Sequence, residues 1–223
     1  MIEILEFMLD NIYIKFGNMV YKQVIGVPIG SDAGAEIANL LLFSYESEYI
    51  EKVSKQNIAL ARKFNLCSRY IDDLFVGNFA DFQEHIYKIY PRELAINLAS
   101  NNTRDIAYLD LRIKIEGTNL DFSIYDKRDD FRFEIINFPY IDSCIPRKSA
   151  LGVFYSQLIR YGRICSKISA FKTKCKGLID RLTAQGYNVE DLRKLSLRFF
   201  NERRDIVNKY DINNGNDFAK IIF

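Results

Sequence analysis

The run Arg69-Tyr70-Ile71-Asp72-Asp73-Leu74-Phe75-Val76 decides how the rest of the chain is read. It closes a stretch, about Ala59 to Tyr70, that reads as a strand interrupted at Asn65. Two acids follow, and Leu74-Phe75-Val76 leads away, so a β-hairpin with Asp72 and Asp73 at its tip is expected. Strand residues alternate in direction, so the two acids face opposite sides unless the turn redirects one. Adjacent carboxylates repel and raise each other's pKa unless a cation lies between them. Magnesium suits such a pair, because it takes one or two carboxylates and fills its other positions with water and substrate phosphates. Taken alone, the same residues also make an ordinary solvated turn.

Upstream lies Gln23-Val24-Ile25-Gly26-Val27-Pro28-Ile29-Gly30-Ser31, a breaker-rich loop before a predicted helix, Asp32 to Lys52. Glycines at a helix start let an anion or a nucleotide approach the backbone closely. No Lys follows Gly30, so the loop is not a P-loop. Before it, apolar residues from Ile2 to Ile12 predict an amphipathic helix, and Tyr13–Phe16 with Val20–Val24 a short hairpin about Gly17-Asn18. After the acidic hairpin come a predicted helix, Asp81 to Tyr90, and a strand, Leu94 to Leu98. Tyr108 to Ile115 then pairs through Gly117-Thr118-Asn119 with Leu120 to Tyr125. Residues 126–146 read as loop. Three helices follow, Leu151–Ser169, Ala170–Gln185 and Val189–Lys209, with Gly186 stopping the middle one. The last residues read as a loose tail. The fold class is α+β.

The chain has 223 residues, enough to bury a core, and no stretch approaches the ~20 apolar residues of a membrane span. Four cysteines lie far apart without a C-x-x-C pair, the pattern of reduced intracellular thiols. His85 is the single histidine, which disfavours histidine triads and histidine-rich metal sites and leaves carboxylates to carry any chemistry. The formal charge of +2 conceals an asymmetry. Residues 1–146 hold 15 basic and 22 acidic side chains, whereas residues 147–204 hold 14 basic and 4 acidic. In the basic block Phe154, Tyr155, Arg160, Tyr161 and Arg163 interleave, as on a surface that follows a phosphate backbone. A solvated helix face has the same composition.

Taken together, these motifs resemble reverse transcriptases. Gln23 to Ser31 with Ala38-Asn39-Leu40 resembles the template- and nucleotide-positioning motif, and Arg69 to Asp73 the Y-x-D-D metal motif. Tyr108-Leu109-Asp110-Leu111 resembles the strand pair that grips the primer end. Tyr125 to Phe131, Asn137-Phe138-Pro139-Tyr140 and Ser156 to Tyr161 resemble the palm-to-thumb region of Penelope-like retroelement reverse transcriptases. The likeness runs from about Glu6 to about Tyr210.

The resemblance implies RNA-templated DNA synthesis by two-metal nucleotidyl transfer, with Mg2+, or Mn2+, held by Asp72 and Asp73. Gln23, Gly26, Pro28, Gly30, Ser31 and Tyr70 would serve nucleotide and template. Leu109, Arg160, Arg163 and Lys167 would serve the primer–template duplex. It implies an incomplete right-hand palm over residues 1–130, a palm-to-thumb connection and helical thumb over 131–210, and a tail over 211–223. The family's first metal aspartate and its fingers have no counterpart, and Asp32 and Glu36 add negative charge beside the nucleotide loop. The chain alone is therefore expected not to polymerise, and an upstream fragment or second chain is an expected partner. The alternatives are a non-catalytic nucleic-acid-binding module and a structural protein of the same fold.

Overall fold

The computed structural model describes residues 2–28, 30, 33–99, 102–133 and 135–223. The fold is mixed α+β, and the chain divides into two compact units, Met1–Asn97 and Leu98–Phe223. That division lies upstream of the expected boundary at 130, because strands β5 to β7, described below, belong with the helices that follow them. No helix among the described residues is long and apolar enough to cross a membrane.

In the first unit, α1 (Ile2–Asp10) precedes an antiparallel hairpin of β1 (Tyr13–Phe16) and β2 (Met19–Lys22). Gly17 turns it with φ +60°, the left-handed region that glycine occupies without strain. All eight strand residues are exposed. Then come α2 (Gly34–Gln56), α3 (Ile58–Lys63), and the hairpin of β3 (Cys67–Tyr70) with β4 (Asp73–Val76). A short 3-10 turn, Ala80–Phe82, leads into α4 (Gln83–Ile89).

Two expectations fail here. The predicted strand from Ala59 is helical over its first half, because Asn57 accepts a hydrogen bond from the Leu60 N–H at 3.0 Å and caps α3. Leu94 to Leu98 forms no strand; Leu94 and Ile96 pack as irregular chain against the unit's core. That core is small and aromatic: Phe64, Phe79 and Phe82 meet edge to face at 5.1–6.1 Å, beside Ile89 and Tyr90.

His85 is buried against these rings, and its Nδ1 lies 2.6 Å from the Tyr49 hydroxyl. Burial, reinforced by nearby Lys88, holds its pKa below the ordinary imidazole value. The unfolded chain therefore takes up this proton more readily than the folded one. The stabilisation is present above the unfolded value of about 6.5 and is lost as pH falls from there through the lower pKa of the folded state. Thermal melts of the first unit at pH 5.5 and 7.5 are expected to show lower stability at pH 5.5, and His85→Gln is expected to reduce the difference.

The second unit begins with a three-stranded antiparallel sheet of β5 (Asp105–Tyr108), β6 (Leu111–Glu116) and β7 (Asn119–Ile124). The expected single strand from Tyr108 is broken, since Leu109 takes φ +55° and starts a two-residue turn. Helices α5 (Arg147–Ile164), α6 (Ile168–Ala184) and α7 (Val189–Glu202) follow. Gly186, at φ +87°, ends α6 as expected. The expected helix to Lys209 stops at Arg203, whose φ and ψ of −120° and 51° leave the helical region, and restarts as α8 (Arg204–Val207).

The tail is not loose. Asn214 caps α9 (Gly215–Ile222), whose Phe218 and Ile222 are fully buried with Phe154, Leu158, Phe171, Leu182 and Phe199. Ile124 joins this core from β7. Ser166 fastens the sheet further: its N–H donates to the Phe122 carbonyl at 2.8 Å, and its Oγ accepts from the Phe122 N–H at 2.9 Å.

Candidate functional site

The β3–β4 register pairs Tyr70 with Asp73, so Ile71 and Asp72 form the two-residue turn. Ile71 has φ +52°, in the first central position where a type II′ turn places glycine. A β-branched residue there costs about 1–3 kcal/mol. Ile71→Gly is therefore expected to raise unit 1 stability by about 1 kcal/mol, read by denaturant unfolding. Asp72 and Asp73 are both exposed, as is Tyr70, and neither acid makes an ion pair among the described residues.

One side chain joins this turn to α2. Arg69, 9% exposed, donates through Nε and Nη2 to both oxygens of Glu46 on α2, at 2.5 and 3.1 Å. Its Nη1 donates to the Asn39 side-chain oxygen at 2.7 Å and to the Ile71 carbonyl at 2.9 Å. Nη2 also reaches the Asn39 carbonyl at 3.3 Å. The Tyr90 hydroxyl donates to Glu46 at 2.6 Å. Burial, then this carboxylate, push the Tyr90 pKa up, while the bond to Glu46 raises that of Arg69. The spacing of Asn39, Glu46, Arg69 and Tyr90 along the chain gives no local signal of this network.

A second turn makes the first informative. Tyr108-Leu109-Asp110-Leu111 repeats the pattern of Tyr70-Ile71-Asp72-Asp73: a tyrosine ends a strand, a bulky residue sits at positive φ, and an aspartate follows. There the acid is neutralised, since Arg160 of α5 donates to Asp110 at 2.7 and 3.1 Å. At the Asp72 turn no cation takes that role among the described residues.

In the glycine-containing loop, Gly26 takes φ +90°, and Gln23 donates from Nε2 to the Ile25 carbonyl at 3.1 Å. Gln23 thus folds back on its own loop. Pro28 is half-buried and Gly30 exposed, while Ser31 lies outside the described residues.

Of the expected duplex residues, Leu109 is the exposed turn residue just described. Arg160 is held by Asp110, and Lys167 bridges Glu116 at 2.5 Å and Asp121 at 3.2 Å. Both fasten the helices to the sheet. Arg163 is exposed, and with Lys148, Lys172, Lys176 and Lys194 it makes no ion pair among the described residues.

Two adjacent, exposed and unpaired carboxylates suit a hydrated magnesium or manganese ion completed by phosphate oxygens. No group of three or more acid, cysteine or histidine ligands gathers among the described residues, so a site for two ions would need a further acid from outside them. No protein-family model, no curated protein and no solved structure matches the chain.

Proposed function

We propose that this chain is part of a Penelope-like retroelement reverse transcriptase, carrying the metal-binding hairpin of an incomplete palm and a helical thumb. In the complete protein it would take part in RNA-templated DNA synthesis on a primer–template, with Asp72 and Asp73 holding Mg2+ or Mn2+. The observation that carries this reading is the contrast between the two matching turns. Asp110 is paired with Arg160, whereas Asp72 and Asp73 stand exposed without a counter-charge among the described residues. When bound, the metal would supply charge stabilisation for phosphoryl transfer. The protein's own part is to hold the carboxylates at a defined place.

A further polypeptide, an upstream fragment or a second chain, fits the exposed apolar side chains of the first unit. Phe7, Ile14, Phe16, Met19 and Tyr21 are 53–78% exposed on α1 and the β1–β2 hairpin. Exposed apolar clusters of this kind mark interaction surfaces. A second reading, a non-catalytic nucleic-acid-binding module, is favoured by Arg163, Lys172, Lys176 and Lys194, exposed cations free of ion pairs. Such a module would bind the duplex with steep salt dependence and no role for Asp72.

The deciding experiment titrates Mn2+ into the full chain with a primer–template and a deoxynucleotide, followed by nuclear magnetic resonance. Paramagnetic broadening is expected around Asp72 and Asp73 and is expected to vanish in Asp72→Asn/Asp73→Asn. No broadening around Asp72 and Asp73, or broadening there that survives the double variant, would falsify the polymerase reading. In the same mixture the chain alone is expected to extend no primer, and Asp72-dependent extension would show that it needs no further acid.

A further inference from the structure

We infer that Arg69 is a positioning residue for the carboxylate turn and locks that turn to the helix following the glycine-containing loop. The inference rests on the metal-binding reading of Asp72 and Asp73.

A guanidinium has five N–H donors in a fixed plane. Here all five have acceptors: two oxygens of Glu46, the side-chain and main-chain oxygens of Asn39, and the Ile71 carbonyl. An ion pair that served only packing would need Glu46 alone. The bond to Ile71 does something different. That carbonyl belongs to the peptide leading into Asp72, so holding it holds the plane from which the Asp72 side chain departs. It also holds Ile71 in a conformation that an isoleucine otherwise avoids. Tyr90 donates to the Glu46 oxygen that receives Arg69 Nε and restricts that carboxylate in turn.

The other end of the lock is α2. Asn39 and Glu46 are seven residues apart on this helix, about two turns, and so share one face. A shift of α2 along its axis would therefore reach the Ile71 carbonyl through one rigid side chain. Lysine cannot replace this arrangement. Its ammonium has three donors and no planar fork, so it can keep the Glu46 pair but not hold Asn39 and Ile71 as well.

The test measures Mn2+ affinity at the hairpin tip of the full chain bound to primer–template, together with melting temperature. Arg69→Lys is expected to weaken Mn2+ about tenfold. Tyr90→Phe, which loosens Glu46 without touching the turn, is expected to lower the melting temperature and leave Mn2+ affinity within about twofold. The double variant Arg69→Lys/Ile71→Gly is expected to recover most of the affinity, because glycine adopts the left-handed conformation without help.

Because Ile71→Gly also stabilises the unit, a purely structural role predicts Mn2+ affinity that follows melting temperature across all the variants, whereas positioning predicts affinity lost in Arg69→Lys and kept in Tyr90→Phe. Equal Mn2+ losses in Arg69→Lys and Tyr90→Phe, or no rescue by Ile71→Gly, would overturn the positioning role and leave the carboxylate reading intact. No Mn2+ at the wild-type tip would overturn both. Should Arg69→Lys fail to fold, the exposed Asn39→Ala takes its place, with an expected loss of about threefold; an unchanged affinity there overturns the lock.

Discussion

Phe218→Ala is expected to destabilise the unit of residues 98–223 by about 3–5 kcal/mol, the usual cost of emptying a fully buried phenylalanine site. Phe218 is 0% exposed and meets three other rings, Phe199 at 5.6 Å, Phe200 at 5.7 Å and Phe171 at 6.1 Å. Two of these, Phe171 and Phe199, are themselves fully buried, so the cavity has rigid walls and little room to collapse. The lost area and the cavity therefore add. Urea unfolding followed by circular dichroism, with amide exchange to assign the unit, would measure it. An effect below about 1 kcal/mol would mean that α9 does not belong to the core. Deleting residues 211–223 as a dispensable tail is expected to do at least as much damage, since Ile212 and Ile222 are buried too.

Glu46→Ala is expected to cost the first unit about 3 kcal/mol, as for breaking a largely buried ion pair by removing one partner. Arg69 is 9% exposed and Glu46 20% exposed, so little water is available to solvate the abandoned guanidinium. The Tyr90 hydroxyl loses its acceptor at the same time, which adds a buried unsatisfied donor. Glu46→Gln is expected to cost less, because the amide oxygen still accepts. Guanidinium chloride is a poor denaturant for this comparison, since its salt screens ion pairs; urea is preferable. If Glu46→Ala and Tyr90→Phe cost the same, the charge on Glu46 contributes nothing beyond the hydroxyl bond.

The basic block reads differently once its partners are known. Lys174 and Arg181 of α6 meet Asp129, at 2.9 and 3.4 Å, and Arg181 also meets Asp126 at 3.2 Å. Arg128 holds the Asp126 carboxyl far below the usual carboxylate range. Several cations counted as phosphate ligands by composition are thus matched to acids of the preceding loop and sheet. The opposite charges of the two sequence segments are in part the two sides of these contacts.

Much of the local structure was legible in the chain. The opening helix, the first hairpin, the turn carrying Asp72 and the stop at Gly186 all follow from short-range pattern, because periodicity, turn residues and caps act over a few positions. The helix capped by Asn57 was legible in principle too, in an asparagine followed by Ile-Ala-Leu-Ala, but its apolar residues also suited a strand. What no local pattern held was which aspartate is neutralised. Asp72 and Asp110 have similar neighbours in the chain, and only the packing of α5 on the sheet brings Arg160 to one of them. The same holds for Arg69, four of whose five acceptor contacts come from positions 23 and 30 residues upstream, and for α9, whose short amphipathic sequence becomes a helix by burying Phe218. Short-range sterics and hydrogen bonding, written into the sequence, determined the turns and most helices. Which turn's acid is paired, and the fate of the tail, were decided by tertiary contacts, because pairing and burial depend on which distant surfaces meet.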